Sequence, residues 1–136
     1  MKIDPGIENE IFNVLNSYAE FYAKKDMDSV LRLFTPGSDL TFIGTDINEK
    51  CASLDEFKSL LERDFAIAED VSWQWGERSV SAAGPVAWVS TECLARANVK
   101  GQEMTLPMRI TAVLEKRADR WLIAHMHNSV PVMREL

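Results

Sequence analysis

The chain has 136 residues, 46% hydrophobic and 26% charged, with 15 basic against 21 acidic side chains for a formal net charge of −6. This is one domain's length with the balance of a globular chain, not a disordered one. An acidic chain without a long basic run repels phosphate backbones, which excludes nucleic acid as a partner, and no apolar stretch is long enough to span a membrane.

The opening stretch MKIDPGIENEIF is acidic and lacks the apolar region of a secretory signal, so a cytoplasmic location is expected. Asp4-Pro5-Gly6 breaks the chain before a helical pattern in which Ile7, Ile11, Leu15, Tyr18, Ala19 and Tyr22 recur at three- and four-residue spacing. Two tyrosines in that stripe each bring a hydroxyl that needs a partner, either in a pocket or by reaching a helix end. Asp26 is a good N-cap for a second helix over Met27 to Phe34, stopped by Thr35-Pro36-Gly37. Leu40 to Gly44 reads as a short strand. Ser53-Leu54-Asp55-Glu56 has the form of a capping box and opens a third helix with Phe57, Leu60, Leu61, Phe65 and Ala68 as its apolar stripe.

From Val71 the period changes from about 3.6 to 2. VSWQWGERSVSA and VAWVSTECLARANV are strands either side of the turn Ala83-Gly84-Pro85, and Lys100-Gly101-Gln102 leads into the next, which carries Pro107. Met108 to Val130 then reads as two strands around the charged turn Lys116 to Arg120. Alternation places Met108, Ile110, Ala112 and Leu114 on one face with Leu122, Ala124, Met126, Asn128 and Val130. The other face carries Arg109, Thr111, Val113 and Glu115 with Trp121, Ile123, His125, His127 and Ser129. Helices first and strands afterwards give an α+β class. Neither repeats nor a linker interrupt residues 1–136, so a single domain is expected. Cys51 and Cys93 have no metal or redox spacing and read as reduced thiols.

Two segments, YAEFYAKKDMDSVLRLFTPGSDLTFIGTD and RITAVLEKRADRWLIAHMHNSVP, resemble the nuclear transport factor 2-like superfamily, and within it the SnoaL-like, ketosteroid-isomerase-like proteins. The resemblance covers essentially the whole chain. It implies a cone-shaped barrel, three N-terminal helices packed on a curved, mostly antiparallel sheet, with a pocket at the open end and a homodimer formed through the sheets. It does not fix an activity, because this superfamily hosts isomerases, cyclases, dehydratases and binding modules.

On this picture the apolar face lines the cone, so Met108, Ile110, Ala112, Met126 and Asn128 are expected to bind ligand together with Tyr22. On the strand Val86 to Val99 the resemblance puts Trp88, Ser90, Glu92 and Leu94 on the cone side, with Glu92 either buried in the cup or solvated at its rim. Arg109, Trp121, His125 and His127 then meet a second subunit on the convex face, where Arg and aromatic residues are favoured. His125 and His127 share a strand face, but two imidazoles are not a metal site without a third ligand, so neither metal nor cofactor is expected. By the same resemblance Tyr18 stands at the oxyanion tyrosine of ketosteroid isomerase. The base should end the strand LTFIG, where the nearest carboxylate is Asp46, and the second oxyanion acid has no counterpart among Met108, Ile110, Ala112 and Leu114. Steroid isomerisation is therefore not expected. The reading that remains is a small apolar, carbonyl-containing ligand in the cone, with Asp46 as candidate base for a proton transfer and Tyr18 or Asn128 as oxyanion donor. The alternative is a non-catalytic association module.

Overall fold

A computed structural model describes residues 3–132. Helix α1 spans Pro5–Ala23; Asp4 caps it by accepting a hydrogen bond from the Gly6 N–H at 2.8 Å, and Pro5 needs no donor at the first position. Helix α2 (Met27–Leu31) is capped by Asp26 and ends three residues earlier than the sequence pattern suggests. The chain is drawn out of the helix because the Ile123 N–H donates to the Leu33 carbonyl and the Thr35 N–H donates to the Ile123 carbonyl, at 2.8 and 2.9 Å. A 3-10 turn at Gly37–Asp39 leads into β1 (Thr41–Ile43), then β2 (Lys50–Cys51) and α3 (Leu54–Ile67). The Ser53 hydroxyl caps α3 by accepting from the Glu56 N–H, while the Glu56 carboxylate accepts from the Ala52 N–H.

Four long strands follow: β3 (Ala68–Ala83), β4 (Val86–Val99), β5 (Gln102–Arg117) and β6 (Arg120–Ser129). They form one six-stranded sheet in the order β2-β1-β6-β5-β4-β3, antiparallel except where β1 pairs with β6. The three helices cover its inner face, and the sheet remains open along its β3 and β2 edges. The α+β cone expected from the sequence is the fold observed. Its core joins Ile11 and Leu15 of α1, Val30 of α2 and Phe57 and Leu61 of α3 to Val89, Ile110, Leu114, Ile123 and Met126 of the sheet.

Register decides which side chains enter the cone, and it corrects two expectations. On β4, Val89 stands opposite Ala112, Thr91 opposite Ile110 and Cys93 opposite Met108. Directly paired residues share a face, so the odd-numbered side chains of β4 point inward. Trp88, Ser90 and Glu92 are exposed on the outer face, with Trp88 41% accessible. Thr91 is the polar residue among the inward set, and its hydroxyl donates to the Glu77 carbonyl at 2.9 Å. On β6, Val113 pairs with His125 but Leu114 with Ile123, leaving Ala124 without a partner. This bulge inverts the alternation. Trp121 and Ile123 consequently face inward along with Met126 and Asn128, and the Trp121 Nε1–H donates to Glu10 of α1 at 3.1 Å. Trp121 is therefore a helix-packing residue and does not lie on the convex face.

Candidate functional site

The open end of the cone holds a cavity of about 370 Å³ between α1, α3, the β1–β2 loop and the inner face of β3 to β6. Much of its wall is apolar, with Phe42, Phe57, Leu60, Leu61, Leu106 and Met108 among the lining residues. Tyr18 and Tyr22 enter from α1, as their place in its stripe requires. With Trp73 of β3 they form an aromatic wall: the Trp73 ring lies 5.8 Å from that of Tyr18 and 5.3 Å from that of Tyr22, both edge to face. Burial pushes both phenol pKa values well above their ordinary range, so each hydroxyl stays protonated and able to donate.

Two carboxylates share this cavity, Glu49 from the β1–β2 loop and Asp64 from α3. Burial raises Asp64 from its ordinary value, although the Tyr22 hydroxyl, donating to its Oδ2 at 3.2 Å, partly offsets the effect. Glu49 is also raised, first by burial and then by the charge of Asp64. Both shifts run in the direction that makes a carboxylate a stronger base. Two polar atoms are buried with no partner among the described residues: the indole N–H of Trp73 and the side-chain carbonyl oxygen of Asn128. Both residues line the cavity. An unpartnered buried donor and acceptor each carry a desolvation cost in the fold.

The structure brings together Tyr18, Tyr22, Met108 and Asn128 from the expected set. Ile110, Ala112 and Met126 point inward as alternation predicts but are packed into the core and do not line the cavity. Asp46 is exposed and lies outside the cavity wall; its backbone N–H donates to the Glu49 carboxylate at 3.2 Å. Trp88, Ser90 and Glu92 lie on the far side of the sheet. Arg109, His125 and His127 do occupy the outer face, where His125 Nδ1 and Thr41 Oγ1 are 2.6 Å apart. Burial, followed by the neighbouring His127, lowers the His125 pKa. Among the described residues no cluster of three His, Cys, Asp or Glu side chains is arranged to hold a metal ion.

Glu49, Asp64 and Trp73 were not among the expected site residues. Asp64 carried a readable signal: it lies seven residues after Phe57, four after Leu60 and three after Leu61, inside the apolar stripe of α3. Glu49 carried none, because it sits in a loop whose path no periodicity describes.

No curated protein matches the chain. Among solved structures, a nuclear transport factor 2-like superfamily protein from Salmonella enterica serovar Typhimurium superposes with a TM-score of 0.86 at 18% identity, covering 96% of this chain and 95% of its own. A candidate dehydratase of the NTF2-like family from Streptomyces avermitilis gives 0.85 at 13% identity, with 92% and 97% covered. A ketosteroid isomerase-like protein from Erwinia carotovora atroseptica gives 0.77 at 17% identity, with 92% and 96% covered. At these identities the likeness is one of fold. The SnoaL-like domain model matches residues 11–133, nearly the whole chain, and the protein is thus a member of the SnoaL-like family.

Proposed function

We propose that the protein binds a small, largely apolar carbonyl compound in the cone and transfers a proton on it. The observation that carries this reading is the pairing of Glu49 and Asp64, both raised carboxylates, in a mostly apolar cavity beside two protonated tyrosines. In this scheme ionised Glu49 removes a proton from the carbon α to the carbonyl. The C–H electron pair becomes the enolate C=C bond, and the carbonyl π pair moves to oxygen, where the Tyr18 hydroxyl donates to it. Protonated Glu49 then returns the proton to carbon, at the same or a conjugated position, and the carboxylate is restored. Glu49 takes the place that the sequence pattern offered to Asp46, and the Asp46 N–H helps to hold its carboxylate.

The test is exchange of the α-protons of an aryl ketone such as 1-indanone in D2O, followed by proton NMR. Exchange should be faster with the protein than with buffer, and should fall by about a hundredfold in Glu49→Gln, the usual scale for a general base. Equal rates for protein and buffer, or an unchanged rate in Glu49→Gln, would remove the proton-transfer reading.

A second reading concerns the outer face and is compatible with the first. We propose that it forms a homodimer contact, supported by an exposed Trp88 in a row with Val113, His125 and Thr41 across β4, β5, β6 and β1. Arg109 lies on the same face, and large aromatics with arginine are what such contacts favour. If the cavity proves to have no ligand, association through this face becomes the principal function.

A further inference from the structure

We infer that the ligand of the cone carries a protonated amine, which sits against Glu49 and Asp64. This rests on the reading of the cavity as a ligand site and adds the chemical class of what enters it. Two carboxylates dominate the charge of the polar groups there. Glu49 and Asp64 contribute carboxylates, and Asn128, only 6% exposed, contributes a carbonyl oxygen with no partner. Donors are present as well, in the Trp73 indole N–H, the Tyr18 and Thr45 hydroxyls and the Asn128 amide N–H2, but these are uncharged, and the Tyr22 hydroxyl already donates to Asp64.

Topology sets Asn128 beside the strand end over which Glu49 folds. Strand β1 runs parallel to β6 with Ile43 opposite His127. One step further along each chain stand Gly44 and Asn128, and the Glu49 side chain lies over Gly44, within 2.8 Å of where a Cβ would be. Neither carboxylate is ion-paired among the described residues. The basic residue on the cavity wall is Arg96, which is exposed, and Arg63 of α3, also exposed, only partly offsets the rise of both acids.

A carboxylate ligand would add a third negative charge to this wall. A neutral alcohol supplies a single donor. An ammonium group supplies up to three donors and one positive charge, answering two carboxylates and an amide oxygen at once, and charge-assisted hydrogen bonds are the stronger kind. The aromatic wall of Tyr18, Tyr22 and Trp73 suits the same cation. In the proton-transfer scheme, Asp64, already fixed by Tyr22, anchors the amine, and Glu49 accepts from it through one carboxylate oxygen while the other acts on carbon.

The experiment is calorimetric titration of the whole chain at neutral pH with three probes of similar size: phenethylamine, 2-phenylethanol and 3-phenylpropanoate. The amine should bind at least about tenfold more tightly than the alcohol, the gain expected of one charge-assisted contact, and the carboxylate should be weakest. In Glu49→Gln/Asp64→Asn the amine and the alcohol should bind alike, and the two single variants should fall between should the double variant not fold. If the alcohol or the carboxylate matches the amine in the native chain, the inference fails while the cavity remains a ligand site. If amine selectivity survives in the folded double variant, the inference also fails. If none of the probes binds, the ligand-site reading itself fails and takes this one with it.

Discussion

Gly44 and Glu49 are held together twice: the Gly44 N–H donates to the Glu49 carbonyl at 2.7 Å, and the Glu49 side chain occupies the space where a Gly44 side chain would stand. The hydrogen bond fixes the loop, and the missing Cβ lets the carboxylate fold back over the strand into the cavity. Gly44→Ala should therefore displace Glu49 without dismantling the fold, at a cost of about 1–3 kcal/mol in stability, as for other overpacked sites. Ketone α-proton exchange should fall by roughly a hundredfold, the penalty for a reacting group moved by about an ångström. In a Glu49→Gln background the same substitution should change exchange little, because the group it displaces is already inactive. An additive loss in the double variant would show that Gly44 acts through something other than Glu49.

The Tyr22 hydroxyl acts on Asp64 in the opposite sense to burial, since it favours the ionised form. Tyr22→Phe removes that donor and leaves the desolvation in place, so the Asp64 pKa should rise further. Phenethylamine binding should then begin to weaken at a higher pH on acidification than in the native chain, while 2-phenylethanol binding keeps its pH dependence. Carboxyl-carbon NMR titration of Asp64 in the two proteins measures the direction directly. A fall in the Asp64 value, or none, would mean that the hydrogen bond does not govern its ionisation.

What the sequence made legible follows from where alternation is unbroken. The extra residue of the β5–β6 irregularity sits on β6, so β5 alternates unbroken and period 2 alone assigns the face of Met108, Ile110, Ala112 and Leu114. Trp121 lies beyond the unpaired Ala124, and nothing in WLIAHMHN announces that one residue leaves the ladder. On β4 both parities contain large apolar residues, Trp88 and Leu94 against Val89 and Cys93, so pattern could not choose between them. Pairing with β5 makes that choice. The acidic pair divides in the same way. Asp64 was readable as a carboxylate within a helix's buried stripe, whereas Glu49 reaches the cavity only because a two-residue strand and a glycine fold its loop inward.

On the outer face, Trp88 stands in register with Val113 and His125, and His127 occupies the neighbouring row with Thr111 and Ser90. An added carboxylate in the middle of a self-complementary contact is buried opposite its own copy or close to it, which is unfavourable. His127→Asp should weaken self-association by at least about tenfold, and Trp88→Lys should do the same by removing an aromatic anchor. Phenethylamine uptake in the cone should be unchanged in both. Sedimentation velocity across a concentration series is the measurement, and an unaltered oligomer in both variants would place the contact elsewhere.

The acidic pair should also set how stability varies with pH. Glu49 and Asp64 both have folded pKa values raised above their unfolded ones, so between the two values the native chain binds more protons than the unfolded chain. Their contribution is greatest below the ordinary carboxylate range, about pH 4, and is lost as pH rises through the raised values. Above those raised values the native chain carries two partly desolvated, mutually repelling charges. Glu49→Gln/Asp64→Asn removes both charges but keeps an oxygen to accept from Tyr22. Its melting temperature should exceed that of the native chain by a few degrees at neutral pH, and the gap should close on acidification toward pH 4. Thermal melts of the two proteins across that range supply the comparison. A double variant that is less stable at neutral pH would show that the two carboxylates stabilise the fold, and that their charge is already compensated within it.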